Sequence, residues 1–225
     1  MLRHELLSGL LALHPAPRYL EIGVLDGVTF NAVTAARKVG VDPRFRFAAV
    51  STPGVTFHEV PSDLYFGDIA SASDRFEVIF VDGLHTSEQT LRDLMNSIDH
   101  LADGGVIVID DITPSSFASA QRSMADARQV REHFGHENGH DWMGDVYRLT
   151  FFIESFLQGF SYGVVQETHG QLILWREPRR AVRHPERTIE WVGRADLMDM
   201  LRHDEDFGRA PYAELLARYA ATLER

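Results

Sequence analysis

The chain has 225 residues, 44% hydrophobic and 24% charged, a balance that excludes a disordered or collagen-like polymer and suits one large domain. It contains no cysteine, which excludes a disulfide framework, a zinc–thiolate site and a cysteine nucleophile. Its 22 basic and 33 acidic residues leave a net charge of −11, which disfavours nucleic-acid binding through phosphate contacts.

Residues 1–16 read as a short amphipathic helix that ends before Pro15 and lacks the apolar core and cleavage site of a signal peptide. No stretch approaches the roughly 18 apolar residues of a membrane span, so a soluble, cytoplasmic protein with no membrane partner is expected. Residues 18–23 are a short apolar run closed by glycine, a first strand. Helical spacing follows over 27–38, then a very short strand over 38–42 stopped by Pro43. Alternation predicts a third strand at 55–60, and Ser62 or Asp63 is a fitting cap for a helix over 62–69. Residues 76–81 are a strand, and 86–101 a helix with Leu91, Leu94, Met95, Ile98 and Leu101 on one face. Gly104 and Gly105 close it. The wholly apolar run 106–109 indicates a strand covered on both faces, as in a parallel sheet.

Helices are predicted over 117–134 and 145–157. Strands over 160–166 and 171–175, joined by the turn 167–170, form a hairpin, and 195–203 and 211–224 read as helices. The expected fold is therefore α/β and doubly wound: a mostly parallel seven-stranded sheet ending in an antiparallel hairpin. One domain spans 1–225, with an N-terminal helix at 1–16 and a helical extension at 178–225. That extension packs on the sheet or on a second subunit, which makes a homo-oligomer an open expectation.

Ligands of open α/β sheets bind beyond the carboxyl ends of the strands. The first strand ends in Glu21, followed by Gly23 and Gly27, whose freedom permits a tight turn and close approach of a ligand to the main chain. Asp42 ends the second strand, where an acid accepts hydrogen bonds from ribose hydroxyls. Asp63 follows the third and can face an adenine amine. Together these ends suit a nucleoside-shaped ligand, although the glycines alone also fit a plain strand–helix turn. Asp82 ends the next strand, and Asp110 and Asp111 the one after. Three converging carboxylates repel, and a hard divalent cation relieves them; oxygen donors favour magnesium, manganese or calcium over zinc. The alternative is structural, with Asp82 and Asp111 capping backbone N–H groups.

The segments YLEIGVLDGVTF, KVGVDP, FEVIFVDGLHTSEQTLRDL and GGVIVIDD, in this order, resemble the class I S-adenosylmethionine-dependent methyltransferases. More narrowly they are similar to a bacterial group of small, metal-dependent O-methyltransferases with DG-x-H after strand four and D-D after strand five. The chain departs from the superfamily's glycine-rich pattern at Leu25, which stands where a middle glycine is usual. The resemblance implies that S-adenosylmethionine is the cofactor. Glu21, Gly23, Leu25 and Gly27 would then hold its methionine part, Asp42 the ribose and Asp63 the adenine, with Asp82 at the cofactor's edge. It implies a divalent cation, magnesium first, on Asp82, Asp110 and Asp111, and a small-molecule or glycan acceptor such as a catechol or vicinal diol.

Some related enzymes carry a second acid where this chain has Leu84. His85 is then the substitute base beside Asp82, or else a histidine bonded to backbone at a helix start. His136 and His140 are four apart, but Gly135 and Gly139 argue against a helical metal pair. Trp142 and Tyr147 belong to a loop that covers the substrate or packs on the core. Phe151, Phe152, Phe156 and Phe160 read as core, and the arginine-rich run 176–187 as a solvated face or the contact for an acidic partner. Two functions compete with methyl transfer: an NAD-linked oxidoreductase, although the G-x-G-x-x-G form is missing, and a cofactor-binding protein that transfers nothing.

Overall fold

A computed structural model describes residues 1–135 and 141–225. Strands β1 (Arg18–Ile22), β2 (Arg37–Asp42), β3 (Val55–Glu59), β4 (Phe76–Val81), β5 (Leu101–Ile109), β6 (Phe160–Val164) and β7 (Leu172–Arg176) form one sheet. Their order is β3-β2-β1-β4-β5-β7-β6. The first five strands are parallel, and β7 runs antiparallel to both β5 and β6. This is the doubly wound sheet with a terminal hairpin that the sequence predicts.

Alternate side chains of the central strands feed two cores. Tyr19, Val78, Phe80, Val108 and Trp175 meet helices α1 (Arg3–Leu11), α2 (Val28–Ala32) and α9 (Tyr212–Leu223) on one face. Leu20, Ile79, Val81, Ile107 and Leu174 meet α4 (Ser87–Asp99), α6 (Arg148–Phe156), α7 (Ile189–Arg194) and α8 (Leu197–Arg202) on the other. The C-terminal extension thus covers both faces of the sheet, crossing its edge where Ala210 bridges to Val165. Phe151 and Phe160 are buried in the core as expected and Phe152 packs against it, but Phe156, expected there too, is 43% exposed. No helix among the described residues is long and apolar enough to cross a membrane.

Several boundaries differ from the sequence reading. The helix predicted over 27–38 stops at Ala32, because Val33 is extended and the chain turns into β2. Lys38, the only lysine, donates from Nζ to the carbonyls of Phe30 (2.7 Å) and Val33 (3.0 Å) and satisfies that helix end. The segment expected as one helix over 62–69 is a single α-turn, α3 (Ser62–Leu64), followed by a π-turn (Tyr65–Ile69), and Pro61 occupies the cap position. Helix α4 ends at Asp99, and Leu101 already pairs with Phe76 in the sheet. Met95 is 43% exposed, since the buried stripe of α4 runs through Thr90, Asp93, Leu94 and Ser97. Only Met124–Phe134 of the helix predicted over 117–134 forms, as α5. Before it, the hydroxyls of Ser116 and Ser119 capture backbone groups that a helix would need.

The arginine-rich run is solvated only in part: Arg176, Arg180 and Arg183 are exposed, while Arg179 and Arg187 turn inward. Arg179 donates to the carbonyls of Ile153 (2.7 Å) and Glu154 (2.8 Å) at the end of α6. Arg187, nearly fully buried, pairs with the buried Asp206 at 2.8 Å. The run therefore neutralises two interior acids, Glu154 and Asp206.

Candidate active site

The carboxyl ends of β1, β2, β4 and β5 open into one cavity of about 910 Å³. Glu21, Gly23, Leu25, Asp42, Asp63, Asp82, His85 and Asp111 line it, while Gly27 and Asp110 stand behind its wall.

At one end the turn after β1 is held in left-handed backbone. Gly23 has φ of 89°, and a Cβ there would lie 1.9 Å from the carbonyl oxygen of Asp82. Leu25 has φ of 50°, a left-handed conformation that favours glycine. Its N–H donates to Asp42 Oδ2 (2.8 Å) and its carbonyl accepts from Arg46 (2.7 Å). Asp42 also accepts from the N–H of Arg44 through Oδ1 (2.7 Å). The acid at the end of β2 thereby ties two loops together while facing the cavity. Gly27, at φ of 75°, is the cap of α2.

Glu21 is 1% exposed and accepts a hydrogen bond from the Tyr19 hydroxyl at 2.6 Å. Burial pushes its carboxyl up to about 8; the Tyr19 bond opposes this and the charge of Asp82 adds to it. Asp63 lies half exposed at the mouth, accepting from Gln89 Nε2 (3.1 Å) and pairing with Arg92 Nε (3.4 Å).

At the other end, register pairs Val81 with Ile109 and sets Asp82 beside Asp110. The guanidinium of Arg3, from the start of α1, enters between the acids. It ion-pairs with Asp110 and lies 3.7 Å from Asp82 and 4.0 Å from Asp111. Asp110 is turned away from the cavity, bonded by Gln171 Nε2 and by the N–H of Asp111 (2.8 Å). Asp111 has φ of 61°, the second non-glycine residue in left-handed backbone. Donor atoms of Asp82, His85 and Asp111 all fall within 4.8 Å of one another. The atoms in reach of one ion are thus those of Asp82, Asp111 and His85, with Asp110 behind them.

The residues fit a divalent cation. Oδ2 of Asp110 and Oδ2 of Asp111 are buried and make no hydrogen bond among the described residues; each has an ionic neighbour only, Arg3 for the first and His85 Nδ1 at 3.0 Å for the second. Arg3 and the His85 imidazolium together oppose three carboxylates. Burial raises the pKa of Asp110 and pushes Asp111 up to about 6, and in both the charge of Asp82 adds to the effect.

His85 Nδ1 is 3.0 Å from Asp111 Oδ2, and Nε2 is 3.7 Å from Asp82 Oδ1. Burial alone would lower its pKa, but the bond to Asp82 and the charges of both acids push it up to about 9. The ring stacks on Trp142 with centroids 5.3 Å apart, and Nδ1 donates to the Trp142 carbonyl. Trp142 in turn donates from its indole to Gln121 O at 2.7 Å. Gly144 has φ of 63°, and a Cβ there would lie 1.6 Å from the His85 carbonyl oxygen. Asp145 accepts from the N–H of Ser87 (2.7 Å) and pairs with Arg148 (2.8 Å), fixing the start of α4. Residues 142–145 therefore brace His85. Tyr147 is buried with its hydroxyl toward Ala195, a core residue and no part of the cavity wall. His136 and His140 lie outside the described residues.

Sequence reasoning missed Arg3, His169 and Gln171, which also line the cavity. Arg3 looks like any charged residue of an amphipathic helix. Gln171 carried a signal: the predicted hairpin brings the start of β7 alongside the end of β5, where Leu172 pairs with Ile109.

Residues 20–112 match a family model described as a methyltransferase domain, which bears out the likeness to class I methyltransferases read from the motifs. No curated protein matches the sequence. Among solved structures, the chain is similar to a candidate caffeoyl-CoA O-methyltransferase from Staphylococcus aureus, at 14% identity and TM-score 0.53, over 79% of this chain and 84% of that one. It is also similar to cofactor-bound Rv0187 from MTB, at 18% identity and TM-score 0.50, over 77% of this chain and 78% of that one. At these identities the likeness is one of fold.

Proposed function

We propose that the chain is an S-adenosylmethionine-dependent O-methyltransferase acting on a hydroxyl of a small molecule or glycan, assisted by a hard divalent cation, magnesium first. The observation that carries this reading is a single cavity with a nucleoside-suited turn at one end and a carboxylate cluster at the other, the turn and the acids both belonging to the segment that matches a methyltransferase domain.

When bound, S-adenosylmethionine supplies the methyl group as a sulfonium. Glu21 would face the cofactor's ammonium; burial raises its carboxyl to about 8, so pairing with that charge would require it to give up a proton. Asp42 keeps lone pairs for ribose hydroxyls beyond those bonded by Leu25 and Arg44. Asp63, at the mouth, would border the adenine.

Asp82 and Asp111 would hold the cation, with Asp110 behind them. When bound, the ion supplies Lewis acidity toward an acceptor hydroxyl, and two adjacent hydroxyls suit it best, which favours a catechol or a vicinal diol. His85 is the proton acceptor. Asp82 and Asp111 hold it cationic, and neutralising those acids removes that hold and leaves Nε2 free to take a proton, since Nδ1 is engaged by Trp142. Leu84 lines the cavity and offers no competing base.

Calorimetric titration with S-adenosylmethionine, with magnesium and again with EDTA, tests the reading, with NAD as the control. Micromolar binding of S-adenosylmethionine, no binding of NAD, and binding of a catechol only with magnesium support it. Failure to bind S-adenosylmethionine overturns it.

A further inference from the structure

A second group of metal-ligating side chains lies away from the cavity. His184 stands in the loop after β7, His203 ends α8, and Glu205 belongs to the 3-10 turn Asp204–Phe207. One donor atom from each falls within 4.8 Å of the others, and none of the three lines the cavity. The two imidazoles meet edge to face, with centroids 5.3 Å apart.

The surroundings orient these donors. His184 has a carboxylate beside each ring nitrogen: Glu186 is 3.4 Å from Nδ1, and Asp206 is 3.3 Å from Nε2. Whichever nitrogen faces an ion, the other can donate to a carboxylate, the device that fixes the tautomer of a ligating histidine. Asp206 is fully buried, and neither of its carboxylate oxygens has a hydrogen-bond partner among the described residues. Arg187 lies 2.8 Å from its Oδ2 and Arg183 3.9 Å from its Oδ1, so its charge is balanced while Oδ1 points at His184. His203 is held edge-on by Trp191, at 5.6 Å between centroids, and its Nδ1 is 4.0 Å from Glu205 Oε1.

We infer that His184, His203 and Glu205 form a second cation site, for a borderline divalent ion of the zinc type. Two imidazoles and one carboxylate are a zinc donor set with a fourth position left for water, whereas the cavity cluster is rich in oxygen and suits a harder ion. The site joins the loop after β7 to α8 and the turn beyond it. A bound ion clips the start of the C-terminal extension to α8 and the turn after it, and stabilises the fold by mass action.

Cobalt(II) titration of the untagged chain tests this, read by visible d–d absorption and followed by displacement with zinc. The wild-type chain is expected to give the intense band of a tetrahedral site and to gain thermal stability with zinc. His203→Gln should remove the band and weaken zinc binding about tenfold or more. His85→Gln, in the cavity, should leave both unchanged. Should His203→Gln fail to fold, Glu205→Gln replaces an exposed side chain and is read the same way. A band and a zinc affinity that survive the loss of His203 or Glu205, or that vanish with His85, overturn the inference.

Discussion

Arg3, in the first turn of α1, lays its guanidinium against the buried carboxylate of Asp110 at the end of β5. The N-terminal helix and the acid cluster therefore share one electrostatic balance. Replacing Arg3 by Gln leaves Asp110 with fewer partners and should cost about 1–3 kcal/mol of stability. It also removes the cation that competes with a divalent ion, so magnesium affinity should rise. Denaturation with and without magnesium checks both signs. Equal loss of stability in the two conditions would separate Arg3 from ion binding.

Asp82→Asn distinguishes a ligand from a structural acid. If Asp82 holds the cation, the variant loses magnesium binding and keeps S-adenosylmethionine affinity within about an order of magnitude, with little change in melting temperature. A large drop in melting temperature, with cation binding intact, would assign Asp82 to the fold instead.

Glu21 sets a pH dependence. Burial pushes its carboxyl up to about 8 in the folded protein, from an ordinary value of 4.5. Between those values the folded chain holds a proton that the unfolded chain has lost. Stability therefore falls as pH rises through that window, by up to about 1.4 kcal/mol per pH unit. Asp110 and Asp111 are raised as well and act in the same direction. Glu21→Gln should flatten the fall between pH 5 and 8 without abolishing it. Melting curves of the two proteins with the same slope would refute the assignment.

Leu25 carries left-handed backbone at 44% exposure, so its side chain contributes little packing to offset the strain. Leu25→Gly relieves about 1 kcal/mol of strain and gives back a similar amount in unfolded-chain entropy, so stability should stay within about 1 kcal/mol. Leu25→Val, β-branched, should destabilise the protein by about 1–2 kcal/mol. Thermal denaturation of the pair decides.

Gly144→Ala forces a Cβ into the carbonyl of His85. The backbone must move, at a cost of about 1–3 kcal/mol, and the stacking of Trp142 on His85 should loosen. Tryptophan fluorescence alongside the melting temperature reads both effects.

The sheet was legible because its strands are apolar runs and its hairpin is marked by a short polar turn; Val106–Ile109 and Leu172–Arg176 declare themselves. The strand-end acids were legible for the same reason, since topology alone puts Asp82 beside Asp110. Which acid faces the cavity was not. Neighbours on a strand point to opposite sides, and only the left-handed turn at Asp111 decides that this carboxylate joins His85 while Asp110 goes to Gln171. The partners of charges were equally hidden. Arg187 and Asp206 each look solvated in sequence, yet they bury one another. Helix α2 was overestimated because Val33 and Thr34 fit the helical spacing, while their β-branched side chains favour the extended turn into β2.

The place of β7 between β5 and β6 bears on how the chain is made. As the polypeptide leaves the ribosome, the five parallel strands emerge first, and the outer rim of β5 has no neighbour until residues 172–176 arrive. Val106–Ile109 is wholly apolar and would meanwhile offer an unprotected edge to other nascent chains. The last strand to be translated beside it therefore closes the sheet against self-association, and a ribosome that stalls before Leu172 releases a sticky product rather than a smaller folded domain.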